Sequence, residues 1–320
     1  MPSGAAVPVG VHGVVVPADR ELTGEDGRRH GEDAAEVTAA ARGQRGGDHR
    51  DGGRGLRMRG ADEGTDPVSG GHPHGAAVCQ GGPVTTSPVR PRNDPRQYDD
   101  LADQWWVPDG AFAALHWLAE ARSRLVPPAS RPGAVLVDLG CGAGLLAPHV
   151  AGKGYRHVGV DLSPTALPQA AAHGVLAVRG DVLRVPLADE VADVVCAGEI
   201  LEHVTDLPRA VAEAARILRP GGLLVLDTIA DTRTAELLAV RVAERLREVP
   251  PGIHDPALFV DRAVLVAEAA RHGIGLRLRG LRPSLRGVLG WQLGIRASTR
   301  MIPTRWTTVL FQGRGVKEPR

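Results

Sequence analysis

The segment Val135-Leu136-Val137-Asp138-Leu139-Gly140-Cys141-Gly142-Ala143-Gly144 decides the fold. Val135 to Val137 are apolar and mostly β-branched, as a strand covered on both faces requires. Gly140, Gly142 and Gly144 remove side chains where the backbone turns sharply and a ligand must come close. The spacing predicts a helix over Leu145 to Ala151, its N-terminal amides facing that ligand. A strand, glycine turn and helix in this order place a nucleotide-like ligand at the carboxyl end of the first strand of an open α/β sheet.

Downstream of the turn, strands and helices alternate. Strands are predicted at His157 to Val160, Val175 to Val178, Ala192 to Ala197 and Leu223 to Ile229, with two late strands at Ile274 to Leu281 and Thr307 to Phe311. Helices are predicted from Ser163-Pro164 (N-cap and first turn), from Asp206 to Leu218, and over Thr232 to Val249 and Val260 to Gly273. Arg219-Pro220-Gly221-Gly222 reads as a tight turn into the fifth strand. The fold class expected is α/β: a Rossmann-like, doubly wound, mostly parallel seven-stranded sheet. Upstream, Tyr98 to Trp106 and Ala111 to Val126 predict two helices lying over its mouth, the second stopped by Pro127-Pro128. Trp105 and Trp106 serve either as core packing or as a lid.

All ten aromatic residues lie at or beyond Tyr98. The earlier stretch is rich in Gly, Pro, Arg and Asp and has too little apolar surface to offset its ordering entropy. Residues 1–95 are therefore expected to be a disordered tail, or an over-extended gene start, and residues 96–320 the folded domain. His72 and His74 fit solvated tail residues better than a metal pair. The net charge of +1 supplies no strong field toward nucleic acid. Three scattered cysteines fit a reducing cytoplasm. No signal peptide and no membrane span is expected.

The acids around the turn select the ligand. Asp138 precedes the turn, where it would repel a diphosphate but tolerate a sulfonium and an ammonium. Asp161 ends the second strand, about 20 residues beyond the glycines, where a carboxylate meets ribose hydroxyls. Asp181, after the third strand, either accepts from an adenine amine or caps its own loop. S-adenosylmethionine is the expected cofactor. A nicotinamide-dependent oxidoreductase is disfavoured by Asp138, and a non-catalytic cofactor-binding protein is the remaining alternative to an enzyme.

The set Asp138-Leu139-Gly140-Cys141-Gly142-Ala143-Gly144, Asp161, Asp181 and Arg219-Pro220-Gly221-Gly222 resembles the class I S-adenosylmethionine-dependent methyltransferases. Further motifs resemble the ubiquinone-biosynthesis O-methyltransferases: Trp105-Trp106, Leu115-His116 with Arg122, Glu199-Ile200-Leu201-Glu202-His203-Val204, and Val249-Pro250-Pro251-Gly252-Ile253-His254-Asp255. That resemblance implies methyl transfer to the hydroxyl of a polyprenylated catechol or phenol; another small-molecule or natural-product methyltransferase is the alternative. It implies cofactor contacts at Arg122, at Gly140 or Gly142, at Asp161 and at Gly198. Two positions depart from the pattern: Gly198, where the family commonly has Met, and Ala119, where it tends to have Asn.

Glu199, Glu202 and His203 stand at i, i+3 and i+4, so a helical turn would bring them to one face. There they would hold a divalent cation, magnesium by the resemblance, or else pack and cap without one. His254, in the loop after Pro250-Pro251-Gly252, is the candidate general base; the alternative is a loop His bonded to backbone. The predicted Thr232 to Val249 helix is amphipathic, with arginines on its polar side. It either packs on the domain or makes peripheral contact with a membrane carrying a lipid-tailed substrate.

Overall fold

The computed structural model describes residues 90–242 and 251–319, within one compact unit, Cys79–Arg320. Most of the expected tail, residues 1–89, lies outside the described residues, as do residues 243–250 of the expected 232–249 helix.

In chain order the elements are α1 (Arg96–Asp100), a 3-10 turn at Ala102–Gln104, α2 (Ala113–Ser123), β1 (Val135–Leu139), α3 (Ala147–Val150), β2 (Arg156–Asp161), α4 (Leu167–Ala172), β3 (Leu176–Arg179) and β4 (Ala192–Gly198). There follow α5 (Leu207–Ile217), β5 (Leu218–Ile229), α6 (Arg233–Ala235), α7 (Arg262–Arg271), β6 (Arg277–Pro283), α8 (Leu285–Gln292), β7 (Met301–Thr304) and β8 (Leu310–Val316). One sheet holds all eight strands in the order β3-β2-β1-β4-β5-β8-β6-β7. β1 to β5 are mutually parallel, while β8, β6 and β7 add on antiparallel. The chain reverses its direction of travel between β1 and β4, so the switch point where such sheets bind ligands lies at the end of β1.

The strand sequences follow from burial on both faces. Val137, Val195 and Leu224 pack on one side with α5, whereas Leu136, Val194, Cys196 and Val225 pack on the other with Val126, Leu146 and Val150. Neither face meets water, so β1 and β4 read as continuous apolar runs rather than alternating ones. At the opposite end of the sheet from the glycine turn, Asp193 ties three strands together. It accepts from the Val135 N–H at 2.8 Å and pairs with Arg131 at 2.8 Å and Arg219 at 2.7 Å. Burial alone would raise its pKa, but these three donors hold it below the usual carboxylate range.

Several local expectations need correction. The helix after the glycine turn is only Ala147–Val150, continued by a 3-10 turn, because the glycines and Cys141 to Leu146 form successive tight turns. Ser163 is not the N-cap of the next helix. Its hydroxyl accepts from the Ala166 N–H in a preceding turn, and α4 starts at Leu167 with Pro168 in its first turn. Arg219 to Gly222 belong to β5 as an outward loop, since Ala192 faces Leu218 while Val194 already faces Leu223. The stretch between the two late strands, rich in Gly and Arg, contains α8 and β7, which brings the sheet to eight strands. Apolar periodicity gives no signal there because α8 buries only Gly287, Gly290 and Trp291. The folded domain also begins before residue 96: Arg90 pairs with Asp100, and Asn93 and Pro95 line the cavity below.

Leu136 is fully buried in β1. Leu136→Ala is expected to cost about 2–5 kcal/mol of stability, because the surrounding parallel strands cannot collapse into the space; urea unfolding of the variant measures it.

Candidate active site

Gly140 and Gly142 adopt φ of 68° and 49°, a region that favours glycine. Packing makes the same demand. A Cβ on Gly140 would stand 2.6 Å from Ile200, and one on Gly142 would stand 2.6 Å from the Trp105 ring. The turn is thus closed from one side by the loop after β4 and from the other by the segment before α2. Trp105 is buried, stacking on Phe112 at 4.2 Å and on Tyr98 at 5.9 Å. It packs on the cofactor turn and also lines the cavity, so both readings of Trp105 meet in one ring. Trp106 instead stacks on His173 at 3.6 Å.

A cavity of about 350 Å³ opens beside this turn. Arg122, Asp138, Gly140, Gly142, Asp161, Asp181, Gly198, Glu199, His203 and His254 all line it. Of the site residues read from the sequence, Glu202 alone does not. Asp161 accepts from the Gly142 N–H at 2.8 Å and, through its other oxygen, from the Ser163 N–H at 2.8 Å. Burial raises its pKa against those amides. Asp181 accepts from the Leu183 N–H at 2.8 Å, so it caps its loop while still facing the cavity.

Arg122, from α2, is buried and pairs with Asp227 of β5 at 2.5 Å. Burial opposes its charge, but Asp227 and Asp138 outweigh burial and keep it protonated. Its guanidinium occupies the space above Gly198, where an added Cβ would lie 1.4 Å from Nη1. The missing side chain at Gly198 therefore makes room for the ion pair. Asp227 escaped the sequence reading, although an acid inside the apolar run Leu223 to Ile229 was the available signal.

The three-residue metal cluster does not form as expected. Among the described residues, no group of three His, Cys, Asp or Glu side chains is arranged to hold a metal ion. Glu199 sits at φ 50°, outside any helix, and only Leu201–His203 makes a 3-10 turn. The i, i+3, i+4 geometry is therefore lost. His203 is committed at both ring nitrogens, Nδ1 to Asn93 at 2.5 Å and Nε2 to the Tyr98 hydroxyl at 3.1 Å. Glu202 accepts from the Thr228 hydroxyl at 2.7 Å. The Oε1 atoms of Glu199 and Glu202 are buried and unpartnered among the described residues. This carboxylate pair has the hard donors that magnesium takes, whereas His203 does not fit. Burial, then mutual proximity, raises the Glu199 carboxyl, and burial raises Glu202. Asn93 and Tyr98 were not read as site residues; Asn93 lies in the stretch taken for tail and carries no local signal.

His203 is pushed down to about 3, by burial first and then by His254, whose ring stacks on it at 5.5 Å. His254 also lies edge-on to Phe259, and its carbonyl accepts from Arg92 at 2.8 Å.

The methyltransferase domain family matches residues 137–226. An O-methyltransferase of ubiquinone biosynthesis from Thiobacillus denitrificans is 36% identical over 187 residues, 56% of this chain and 81% of the relative. Another so named, from Methylococcus capsulatus, is 36% identical over 194 residues, 58% of this chain and 81% of that one. A solved S-adenosylmethionine-dependent methyltransferase from Thermotoga maritima shares the fold at TM-score 0.50 and 19% identity, covering 70% of this chain and 97% of that one.

Two outcomes follow from this geometry. Gly198→Ala drives a methyl into the guanidinium and breaks a buried ion pair, an expected loss of about 3–5 kcal/mol seen in thermal unfolding. His203 is buried neutral, so below pH 6.5 the unfolded chain takes up a proton that the fold refuses. Its contribution is complete above pH 6.5 and declines toward about pH 3, at up to roughly 1.4 kcal/mol per pH unit. His203→Gln is expected to flatten the fall in denaturant midpoint between about pH 6.5 and about pH 5.

Proposed function

The chain belongs to the ubiquinone biosynthesis O-methyltransferase family, and from that premise we propose that it methylates the hydroxyl of a polyprenylated phenol or catechol, a quinone precursor. The observation that carries the reading is that the glycine turn and Asp161 bound the same cavity as the stacked pair His203 and His254. Its volume of about 350 Å³ suits a small-molecule site.

The cavity's charges support the cofactor. Asp138, Asp161 and Asp181 face it, and the lining cation Arg122 is already neutralised by Asp227. An acid-lined wall favours a ligand bearing a sulfonium and an ammonium over one bearing a diphosphate. S-adenosylmethionine supplies an electrophilic methyl group when bound. Asp161 is the group for the ribose hydroxyls, with its orientation fixed by the Gly142 and Ser163 amides. Gly140 and Gly142 let the ligand approach the backbone. Arg122 and Gly198 form the floor on the β4 side. Asp181 shapes the loop edge of the same wall.

Acceptor chemistry falls to the other wall. His254 is the general base that takes the phenolic proton, with Phe259 and His203 fixing its ring plane. His203, locked by Asn93 and Tyr98, acts as a positioning residue. Glu199 and Glu202 would hold magnesium, which would lower the hydroxyl pKa when bound. Holding acceptor oxygen and methyl donor at near-attack distance is worth roughly 7–11 kcal/mol in well-oriented systems. A lipid tail on the acceptor fits the exposed Leu237, Leu238 and Val242 of the segment after α6, which would touch a membrane as they do not pack inward.

Transfer of labelled methyl from S-adenosylmethionine to a panel of prenylated and unprenylated catechols, with and without magnesium, tests the proposal. Prenylated catechols should be the preferred acceptors, and His254→Ala should lower kcat by roughly 10²–10⁴-fold with cofactor affinity retained. Full turnover by His254→Ala would remove it as the base. Unchanged activity after metal chelation would leave Glu199 and Glu202 a structural role.

A further inference from the structure

Asn93 is held at φ 59°, in the left-handed region. Most side chains resist that conformation, and asparagine is among the few that accept it readily. Glycine would accept it at lower cost still, so conformation alone does not explain the residue. Its amide does. Asn93 Nδ2 donates to the His203 carbonyl at 3.1 Å, and Asn93 Oδ1 meets His203 Nδ1 at 2.5 Å. One amide therefore grips both the backbone and the ring of a residue 110 positions away.

The His203 carbonyl fixes the direction of the protons in this cluster. A carbonyl only accepts, so the Asn93 NH₂ must face it and Oδ1 must face the ring. An amide oxygen also only accepts, so His203 Nδ1 carries the ring proton. Nε2 of the neutral ring is then a lone pair, and the Tyr98 hydroxyl donates to it at 3.1 Å. With both nitrogens engaged, the His203 ring cannot turn without breaking a hydrogen bond. It offers a plane of fixed orientation, on which His254 stacks at 5.5 Å with 22° between the rings.

The same short turn holds the loop that carries His254. Arg92 donates to the His254 carbonyl at 2.8 Å, and the Asn93 N–H donates to the Gly252 carbonyl at 3.1 Å. Gln97 Nε2 adds a bond to that carbonyl at 3.3 Å. Ile253 and His254, which follow, both line the cavity. Arg92 and Asn93 thus bridge two segments, 201–203 and 252–254. Glycine at position 93 would keep the turn but lose the clamp. Ionised aspartate would keep the acceptor but lack a donor for the carbonyl, and asparagine supplies all three.

We propose that Asn93 is a positioning residue for methyl transfer. By setting the tautomer and plane of His203 and tying down the 252–254 loop, it aims the His254 ring at the acceptor hydroxyl. The inference rests on the reading of His254 as the base. A base must stand within hydrogen-bond reach of the proton it takes, and a misplacement of about 1 Å costs on the order of 10²-fold in rate.

Asn93→Gly isolates the clamp, because it keeps the backbone turn and removes only the amide. Ring-nitrogen NMR shifts of the full chain read the first step with no acceptor present, the His203 signals being those absent from His203→Gln. The parent is expected to show His203 protonated at Nδ1 alone, and Asn93→Gly to lose that single tautomer. Labelled-methyl transfer to the catechol that the parent methylates fastest reads the second step. Asn93→Gly should lower kcat by about 10–10²-fold, with acceptor KM and calorimetric affinity for S-adenosylmethionine retained. Added to His254→Ala, the same substitution should cost almost nothing more, since both act on one step.

Parental turnover by Asn93→Gly beside a crippled His254→Ala would overturn the inference and leave the base reading standing. So would losses that multiply in the double variant, an unchanged His203 tautomer in Asn93→Gly, or a matching loss of cofactor affinity, the mark of a merely structural role. Full turnover by His254→Ala would instead remove the base reading, and the positioning role with it.

Discussion

Two missing β-carbons hold this site together. At Gly140 the space goes to Ile200, and at Gly142 it goes to Trp105. Ile200 brings with it the loop carrying Glu199 and His203. Trp105 brings Tyr98 and Phe112, and with them the N-terminal cover of the cavity. The positive φ at both glycines is a local requirement of the turn. Its consequence is longer in range, because three segments far apart in sequence converge on one point. Asp99 adds a polar tie to the same cover, accepting from the Ser163 and Thr165 hydroxyls at 2.6 Å each.

A second constraint is charge in a water-poor space. Asp138, Asp227, Glu199 and Glu202 all lie near Arg122 or one another, and one guanidinium cannot neutralise four carboxylates. The fold answers by raising the carboxyl pKa values of Glu199, Glu202 and Asp227 through burial, while Arg122 stays charged. Gly198 is part of that answer, since its bare backbone gives the guanidinium room beside Asp227. A longer side chain at that position would compete with the ion pair for the same volume. The departure from the family pattern at residue 198 is thus coupled to a partner on β5 rather than being an isolated loss of packing.

What the sequence made legible was what local chemistry dictates. β1 and its glycine turn, the carboxylate ending β2, and the Asp206 cap of α5 each rest on a rule that acts over a few residues. Gly140, Gly142, Asp161, Asp181 and Gly198 were legible for the same reason, since each stands at or just beyond the end of a strand. The Glu199 to His203 cluster was misread because helical spacing was assumed where the backbone takes a left-handed step. Asn93, Tyr98 and Asp227 were missed because their roles exist only through partners about 100 residues away, at His203 and Arg122. α8 and β7 were missed because their apolar residues do not form a buried face of the expected kind.

That last failure has a physical content of its own. β7 is an edge strand of four residues with Pro303 inside it, a form that resists pairing with other chains. Edge protection accounts for the proline, the shortness of the strand and some of the arginine. It does not account for Leu285, Leu289, Leu293, Ile295 and Trp306, which would have to be polar if avoiding association were the only demand. Nor does core packing, because Trp291 and the two buried glycines already complete the inner side of α8. An apolar ridge kept in water, with cations along its border, is stable only at modest cost to solubility.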